Sequence, residues 1–487
     1  MIQKKDSLEF LKEQKDCSID INYSDPPYAL GSEILIKDNG KVDYKKATDF
    51  MNRWEMPNGE YWEQWFKEAY RSLKHGGYCI MFGIDRQLLL FKYYGVMSGF
   101  IEKQSLYWYF ISNFPKSSDL SKNLDKYFNA EREIIGERFD GKGSDSGSGI
   151  YQMNNGNSNM SNKINIEKPQ TELAQKYSGY KYSISPLKQT CETILVFQKP
   201  YKTGSCLHDT LAFENGDNEC CCGALNIDES RVDFISNADR KESITKNQHA
   251  DFGTKPMTNN VVYGDYSMIE PKNFNPIGRF PSQTFVSNET AKVLDNQSGI
   301  SQSTPFGNPT SSFGVSQKKN DITDEGTGFD DIGGCSKILH KCNFENGEFD
   351  LFFYEPKVGS SERNLGCEKL EKKDCKTGID TEGRTKNDLM DRFEKTNNHP
   401  TLKPIELNKK ILSLFKTPNP QKIIYPYAGS GSEIIGGIRA DFFDWEACEI
   451  NEEYIEIAKA RIEYWKNKDY VITNEKGETK RGLFAFK

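Results

Sequence analysis

Strand-like apolar runs alternate with helix-spaced hydrophobic residues at the two ends of this 487-residue chain. The stretch between them, from about Tyr201 to Asn398, is polar and rich in Gly, Asn, Ser and Asp. At the amino-terminal end, Ile19 to Ser24 (IDINYS) is a short apolar run that stops at two prolines, which suits a buried strand. Tyr61 to Lys74 carries Trp62, Trp65, Phe66, Ala69 and Leu73 at helical spacing and is stopped by Gly76-Gly77. Tyr78 to Phe82 reads as the next strand, Arg86 to Met97 as a helix and Ser105 to Ile111 as a strand. Gly141 to Asn162 reads as a mobile loop, and Thr193 to Gln198 restores one strand.

The alternation resumes late. Pro404 to Phe415 reads as a helix, Lys422 to Tyr425 as a strand, Ser432 to Arg439 as a helix and Phe443 to Cys448 as a strand. Asn451 to Trp465 reads as a helix with Tyr454, Ile455, Ala458, Ile462 and Trp465 on one face. The expected fold is therefore α/β, a mixed but mostly parallel sheet split between the chain ends, with strands 19–25 and 422–425 side by side. The expected division is 1–200, a loop-rich insertion over 201–398, and 399–487. The length suits a core with a second domain or large insertions.

Composition narrows the classes. The formal net charge of -7 argues against a protein that coats nucleic acid, but not against a local basic cleft. Basic and aromatic residues at Lys116, Lys122, Lys126 and Tyr177 to Lys188 could track phosphates or form an ordinary solvated surface. Met1 to Phe10 has no apolar signal region, and no run of about 18 apolar residues exists to cross a membrane. The expectation is a cytoplasmic protein whose twelve cysteines are reduced. Cys206, His208 and Cys220-Cys221-Cys222 are zinc-ligand types, but their spacing is not a CxxC pair, so no metal is assigned.

Two motifs carry chemistry. Asp25-Pro26-Pro27-Tyr28 follows a predicted buried strand, where its prolines hold the chain extended. A carboxylate, a carbonyl and a flat ring at a strand's carboxyl end suit an exocyclic amino group on a planar base; an ordinary strand-to-loop turn is the competing reading. Ala428 to Ser432 joins a strand to a helix, where glycines admit a ligand and the helix start favours an anion. Glu449, at the end of the next strand, could accept from ribose hydroxyls. The loop is neither G-x-G-x-x-G nor a P-loop, which disfavours NAD and ATP.

Several blocks together resemble the β-class DNA amino-methyltransferases. Asp6-Ser7-Leu8-Glu9-Phe10-Leu11 resembles the family's first block, Asn398 to Pro404 (NHPTLKP) its His-Pro-Thr-x-Lys-Pro block, and Pro426 to Gly431 (PYAGSG) its Pro-Phe-x-Gly-Ser-Gly block. Tyr454, Ile457-Ala458 and Arg461-Ile462 resemble the helix after its ribose-binding acid. Asn113 to Ser117, Gly223 to Asp228 and Gly278 to Pro281 are similar to segments of a bacteriophage and prophage branch of site-specific adenine methyltransferases. Two departures stand out: Tyr425 where the family usually has Asp, and Ser432 where it usually has Thr.

The resemblance implies a Rossmann-like, S-adenosylmethionine-dependent fold with a target-recognition insertion. It implies Asp25, Pro26, Pro27 and Tyr28 as catalytic residues. Asp6, His399, Thr401, Lys403, Pro404, Pro426, Tyr427, Gly429, Ser430, Gly431, Ser432 and Glu449 are its implied cofactor residues. The implied partner is double-stranded DNA with the target base flipped out; relatives are often dimers, and oligomeric state stays open. Asp in the first motif position goes mostly with adenine N6, leaving cytosine N4 as the alternative. An RNA or protein methyltransferase usually has Asn-Pro-Pro-Tyr and the glycine loop first, and an inactive DNA-binding decoy is the remaining rival. No Pro-Cys pair is present for cytosine C5 chemistry.

Overall fold

The computed structural model describes residues 1–29, 33–46, 56–110, 116–139, 163–234, 237, 240, 277–299, 301–302, 332–333, 335–342, 360–371, 373–374, 394–399, 401–467, 470–473 and 479–482. The expected loop at Gly141 to Asn162 and the Asn113-Phe114-Pro115 part of its block lie outside these residues. The chain divides into two compact units, Met1–Leu225 with Asn343–Lys487, and Asn226–Cys342.

The first unit is built on one sheet. Its strands in chain order are β1 (Ile2–Lys4), β2 (Ile19–Ser24), β3 (Leu73–Gly83), β4 (Ile101–Glu102), β5 (Leu106–Tyr109), β6 (Cys191–Gln198), β7 (Lys422–Tyr425) and β8 (Asp444–Glu449). Across the sheet they run β1-β8-β7-β2-β3-β6-β5, with β4 also paired to β6. Every pairing from β1 to β3 is parallel, and β6 is antiparallel to each of its partners. The expected neighbours β2 and β7 do pair, Ile21 opposite Ile423 and Asn22 opposite Ile424. A carboxyl-terminal strand thus lies against the amino-terminal strand that leads into Asp25.

Helices cover both faces, as a mostly parallel sheet requires. Helices α1 (Ser7–Lys12), α2 (Gly59–Ser72) and α3 (Asp85–Met97) bury Phe10, Leu11, Trp62, Trp65, Phe66 and Phe91. These join Cys79, Met81, Leu195, Phe197, Ile424 and Cys448 of the sheet in one cluster. Helices α4 (Ile405–Leu414) and α5 (Ser432–Arg439) pack on each other, and α6 (Glu452–Asn467) follows β8. Tyr23 donates to Asn408 Oδ1 of α4 at 2.8 Å, and Tyr78 packs edge-on to Phe415 at 4.8 Å.

One boundary differs from the sequence reading. Gly76-Gly77 does not end α2; the helix stops at Ser72 and β3 begins at once. Gly76, at φ +82, absorbs a register shift between the Ile19–Leu73 and Ile21–Tyr78 pairs. A Cβ there would lie 2.9 Å from the Cys221 carbonyl oxygen. The cysteine run closes this kink: Cys221 N–H donates to His75 O at 3.0 Å, and burial pushes the Cys220 thiol up to about 11. Among the described residues no group of His, Cys, Asp or Glu is placed to hold a metal ion.

The segment between β5 and β6 forms two small antiparallel pairs, Lys116–Asp119 with Lys181–Ser185 and Glu133–Phe139 with Lys163–Lys168. Two of its lysines meet acids: Lys122 pairs with Glu167 at 3.0 Å, and Lys181 pairs with Asp119. In the second unit, Thr284–Ser287 lies parallel to His340–Cys342, and Ser287 caps the helix Asn288–Ser298. Among the described residues no helix is long and apolar enough to cross a membrane.

Candidate active site

The carboxyl ends of β1, β8, β7 and β2 each deliver one predicted site segment: Asp6, Glu449, Pro426 to Ser432, and Asp25 to Tyr28. Parallel strands point these ends to one edge of the sheet, where open α/β sheets take ligands.

All six residues of β2 are buried, so Asp25 leaves a fixed strand. Its Oδ2 accepts from Lys403 Nζ at 2.6 Å, with the two side chains 13% and 3% exposed. Its Oδ1 is buried with no hydrogen-bond partner among the described residues. Lys403 Nζ also lies 4.9 Å from the Tyr28 ring centre and 5.0 Å from that of Phe82. The Tyr28 hydroxyl donates to Glu192 Oε2 at 3.2 Å, and Gln87 Nε2 donates to the Pro27 carbonyl at 2.8 Å. Burial and then Asp25 push the Tyr28 phenol well up, so it stays a neutral donor.

The glycine loop is shaped by left-handed backbone at Gly429 (φ +47) and Gly431 (φ +83), which favours glycine. A Cβ on Gly429 would lie 2.9 Å from His399 Nε2, and one on Gly431 would lie 3.2 Å from Ala458 Cβ. Glu449 accepts from Gly429 N–H and Asn451 N–H, both at 2.9 Å. Burial raises the Glu449 carboxyl, and these backbone donors oppose the rise. Arg461, fully buried on α6, donates to the Ser430 carbonyl at 2.7 Å and to the Ser430 and Ser432 hydroxyls at 3.0 Å. The hydroxyl kept at position 432 therefore has a definite partner.

Asp6 caps α1, accepting from Leu8 N–H at 2.8 Å and from the Tyr61 hydroxyl at 3.1 Å. Tyr427 stacks on Trp65 with ring centres 6.2 Å apart. The His399 ring meets Tyr454 edge-on at 4.6 Å, and burial lowers its imidazole to about 3, so it is neutral. Thr401 is exposed, whereas Pro404 is buried at the start of α4, where Glu362 accepts from Ile405 N–H at 2.9 Å. Pro426 offers its carbonyl to the Cys448 thiol at 3.1 Å.

Tyr425 takes no part in this edge. It is 1% exposed, meets Tyr23 edge-on at 6.1 Å, and its hydroxyl lies 1.9 Å from where a Cβ on Gly437 would sit. The departure at 425 is therefore a core residue under α5.

The sequence reading missed Glu192, Gln87, Arg461 as a loop support, and Glu433. Glu433 lies in the first turn of α5, is 6% exposed, and its carboxyl is raised by burial and then by Asp25. An acid beginning an otherwise apolar strand was the available signal for Glu192. A basic residue on the apolar face of α6 was the signal for Arg461.

No curated protein matches the chain. Among solved structures, the M1.HpyAVI–SAM complex aligns at 11% identity over 95% of this chain and 100% of that one, with a TM-score of 0.31. The PvuII DNA methyltransferase, cytosine-N4-specific, aligns at 10% identity over 95% of this chain and 85% of that one, with a TM-score of 0.34. A family model described as DNA methylase, of N6 and N4 methyltransferases, matches residues 19–460. Because that match takes in both ends of the split sheet, the chain belongs to the DNA methylase family and is an N6/N4-type DNA methyltransferase that uses S-adenosylmethionine.

Proposed function

We propose that the chain methylates the N6 amino group of adenine in double-stranded DNA, with the target base rotated out of the duplex. The observation that carries this reading is the divided Asp25 carboxylate, with Oδ2 held by Lys403 and Oδ1 buried and unpaired among the described residues. A buried acceptor left without a donor costs about 1–3 kcal/mol, so Oδ1 is suited to receive an N–H from outside the chain.

The residues present fit S-adenosylmethionine. A Cβ at Gly429 would fill the space beside His399, and Glu449 offers a buried carboxylate of the kind that takes a ribose diol. In this reading Gly429, Ser430, Gly431 and Glu449 hold the nucleoside side, with Asp6 toward the adenine. Pro426 and Tyr427 wall that side, and Ser432 keeps the loop's hydroxyl bonded to Arg461. His399, Thr401 and Pro404 belong to the methionine side. Lys403 is engaged by Asp25, and we assign it to that carboxylate. The bound cofactor supplies an electrophilic methyl group on a sulfonium.

An exocyclic amino nitrogen is a weak nucleophile because its lone pair is delocalised into the ring. Asp25 Oδ1 and the Pro26 carbonyl would accept its two hydrogens, localising the lone pair and aiming it. Gln87 fixes the Pro27 carbonyl, so the tetrapeptide holds its shape, and the Tyr28 ring offers a stacking face. Catalysis is then positioning and electrostatics, without a covalent enzyme intermediate. The polar middle of the chain is the candidate for target recognition. Asp in the first motif position supports adenine over cytosine N4. Long-read sequencing of DNA from cells expressing the protein tests this, with N6-methyladenine at a defined site expected. N4-methylcytosine would overturn the base assignment, and no DNA methylation would overturn the reading.

A further inference from the structure

Lys403 raises an electrostatic difficulty for the reaction. Its Nζ lies 2.6 Å from Asp25 Oδ2, and such a close pair is nearly neutral as seen by a neighbouring atom. Yet the target nitrogen becomes more positive during transfer. The nitrogen–carbon bond forms as the methyl–sulfur bond breaks, and the surplus proton leaves the nitrogen for water afterwards. A carboxylate cancelled by a lysine stabilises that charge poorly.

The topology brings a second carboxylate to the same lysine. Strand β6 runs against its neighbours, so its beginning, not its end, reaches the catalytic edge. Thr193 pairs with Gly83, the last residue of β3, and Glu192 precedes it. The Glu192 side chain is 0% exposed, and Oε2 lies 3.6 Å from Lys403 Nζ while accepting the Tyr28 hydroxyl at 3.2 Å. One ammonium thus sits between two carboxylates.

We propose that Glu192 is a positioning residue acting through Lys403. It draws the lysine's charge away from Asp25, leaving that carboxylate able to stabilise positive charge on the target nitrogen, and it fixes the Tyr28 ring by its hydroxyl. The inference rests on Asp25 being the acceptor of the target amino group. Asp25→Asn tests that reading in the same assay.

The measurement is single-turnover methyl transfer to DNA by the full chain, with cofactor affinity by calorimetry and thermal midpoint alongside. Glu192→Gln removes the charge and keeps the shape and the acceptor for Tyr28. Its transfer rate is expected to fall by about tenfold to a hundredfold, with cofactor Kd and DNA KM within about threefold of wild type. Glu192→Asp keeps the charge and is expected to stay within about fivefold of wild type in rate. A Gln variant within about twofold of wild type, in an assay where Asp25→Asn is inactive, overturns the role of Glu192 and leaves the reading of Asp25 standing. A rate loss matched by an equal loss of cofactor affinity also overturns it. If the Gln variant does not fold, the Asp variant decides: a well-folded Asp variant slowed more than about tenfold shows that charge is not what matters. An Asp25→Asn variant as fast as wild type removes the reading on which the inference stands.

Discussion

Placing Tyr425 in the core can be tested by adding one methyl group opposite it. A Cβ on Gly437 would stand 1.9 Å from the Tyr425 hydroxyl oxygen and 3.2 Å from its Cζ. The first distance is far inside contact, and the second needs only a small adjustment. The ring has little freedom to retreat, being 1% exposed and held edge-on by Tyr23 at 6.1 Å. Overpacking of this kind costs about 1–3 kcal/mol, against about 1 kcal/mol gained by replacing a helical glycine with alanine. A contact as close as 1.9 Å puts the cost in the upper part of that range, about 2–3 kcal/mol, so Gly437→Ala should lose about 1–2 kcal/mol. Tyr425→Phe removes a buried hydroxyl that has no hydrogen-bond partner among the described residues, so alone it should be close to neutral. In the double variant the severe contact is gone and the helix gain remains. It should exceed Gly437→Ala by at least about 1 kcal/mol, a coupling well outside additivity. Equilibrium urea unfolding followed by tryptophan fluorescence reads this directly, because Trp62, Trp65, Trp108, Trp445 and Trp465 all lie in the first unit. Gly437→Ala as stable as wild type, or a double variant no better than that single one, would refute the packing argument. A tenfold loss of cofactor affinity in Tyr425→Phe would refute the claim that Tyr425 stands away from the site.

Asp25→Asn should slow transfer by at least about a hundredfold while cofactor binding, measured by calorimetry, stays within a few-fold; loss of binding would move Asp25 to the donor site. Arg461→Met removes the charged Nη1 donor whose two hydrogens serve three acceptors of the glycine loop, and should cost about 3 kcal/mol and weaken cofactor binding. An unchanged urea midpoint would show that the loop holds itself. Glu433 predicts a pH effect whose sign follows from its burial. Its carboxyl is raised to about 8 in the fold, so its contribution to stability is full below the ordinary carboxylate range and is lost as pH rises through about 8. Glu433→Gln abolishes that loss, so its thermal midpoint should gain on wild type as pH rises from about 5 to about 8. Parallel profiles would contradict it.

What was legible in the sequence is what the chain writes locally. The apolar run before Asp25, the glycines at 429 and 431 and the acid at 449 each sit beside the strand that positions them, and each stands at a strand's carboxyl edge. The kink at Gly76 was misread because two adjacent glycines signal a stop equally well for a helix or for a bulge. Only the pairing of Ile19 with Leu73 separates the two. For Glu192 and Arg461 the sequence marks only a charge in an apolar setting, and neither their roles nor that of Glu433 can be read from it, because their partners are remote. Lys403 meets Asp25 across 378 positions of chain, and Arg461 supports Ser430 from the following helix.

That separation has a consequence for how the site comes to exist. Strand β2 is buried along its whole length, with β7 on one edge, β3 on the other and helix side chains against its faces. The same docking of the carboxyl-terminal segment brings Lys403 to the carboxylate that β2 ends on. Until it arrives, an apolar strand edge is open, and Asp25 has neither its cation nor its neighbouring glycine loop. The interleaving of the two chain ends in one sheet therefore couples formation of the core to assembly of the active site. A chain that has not closed its sheet does not present the acceptor that the amino group needs.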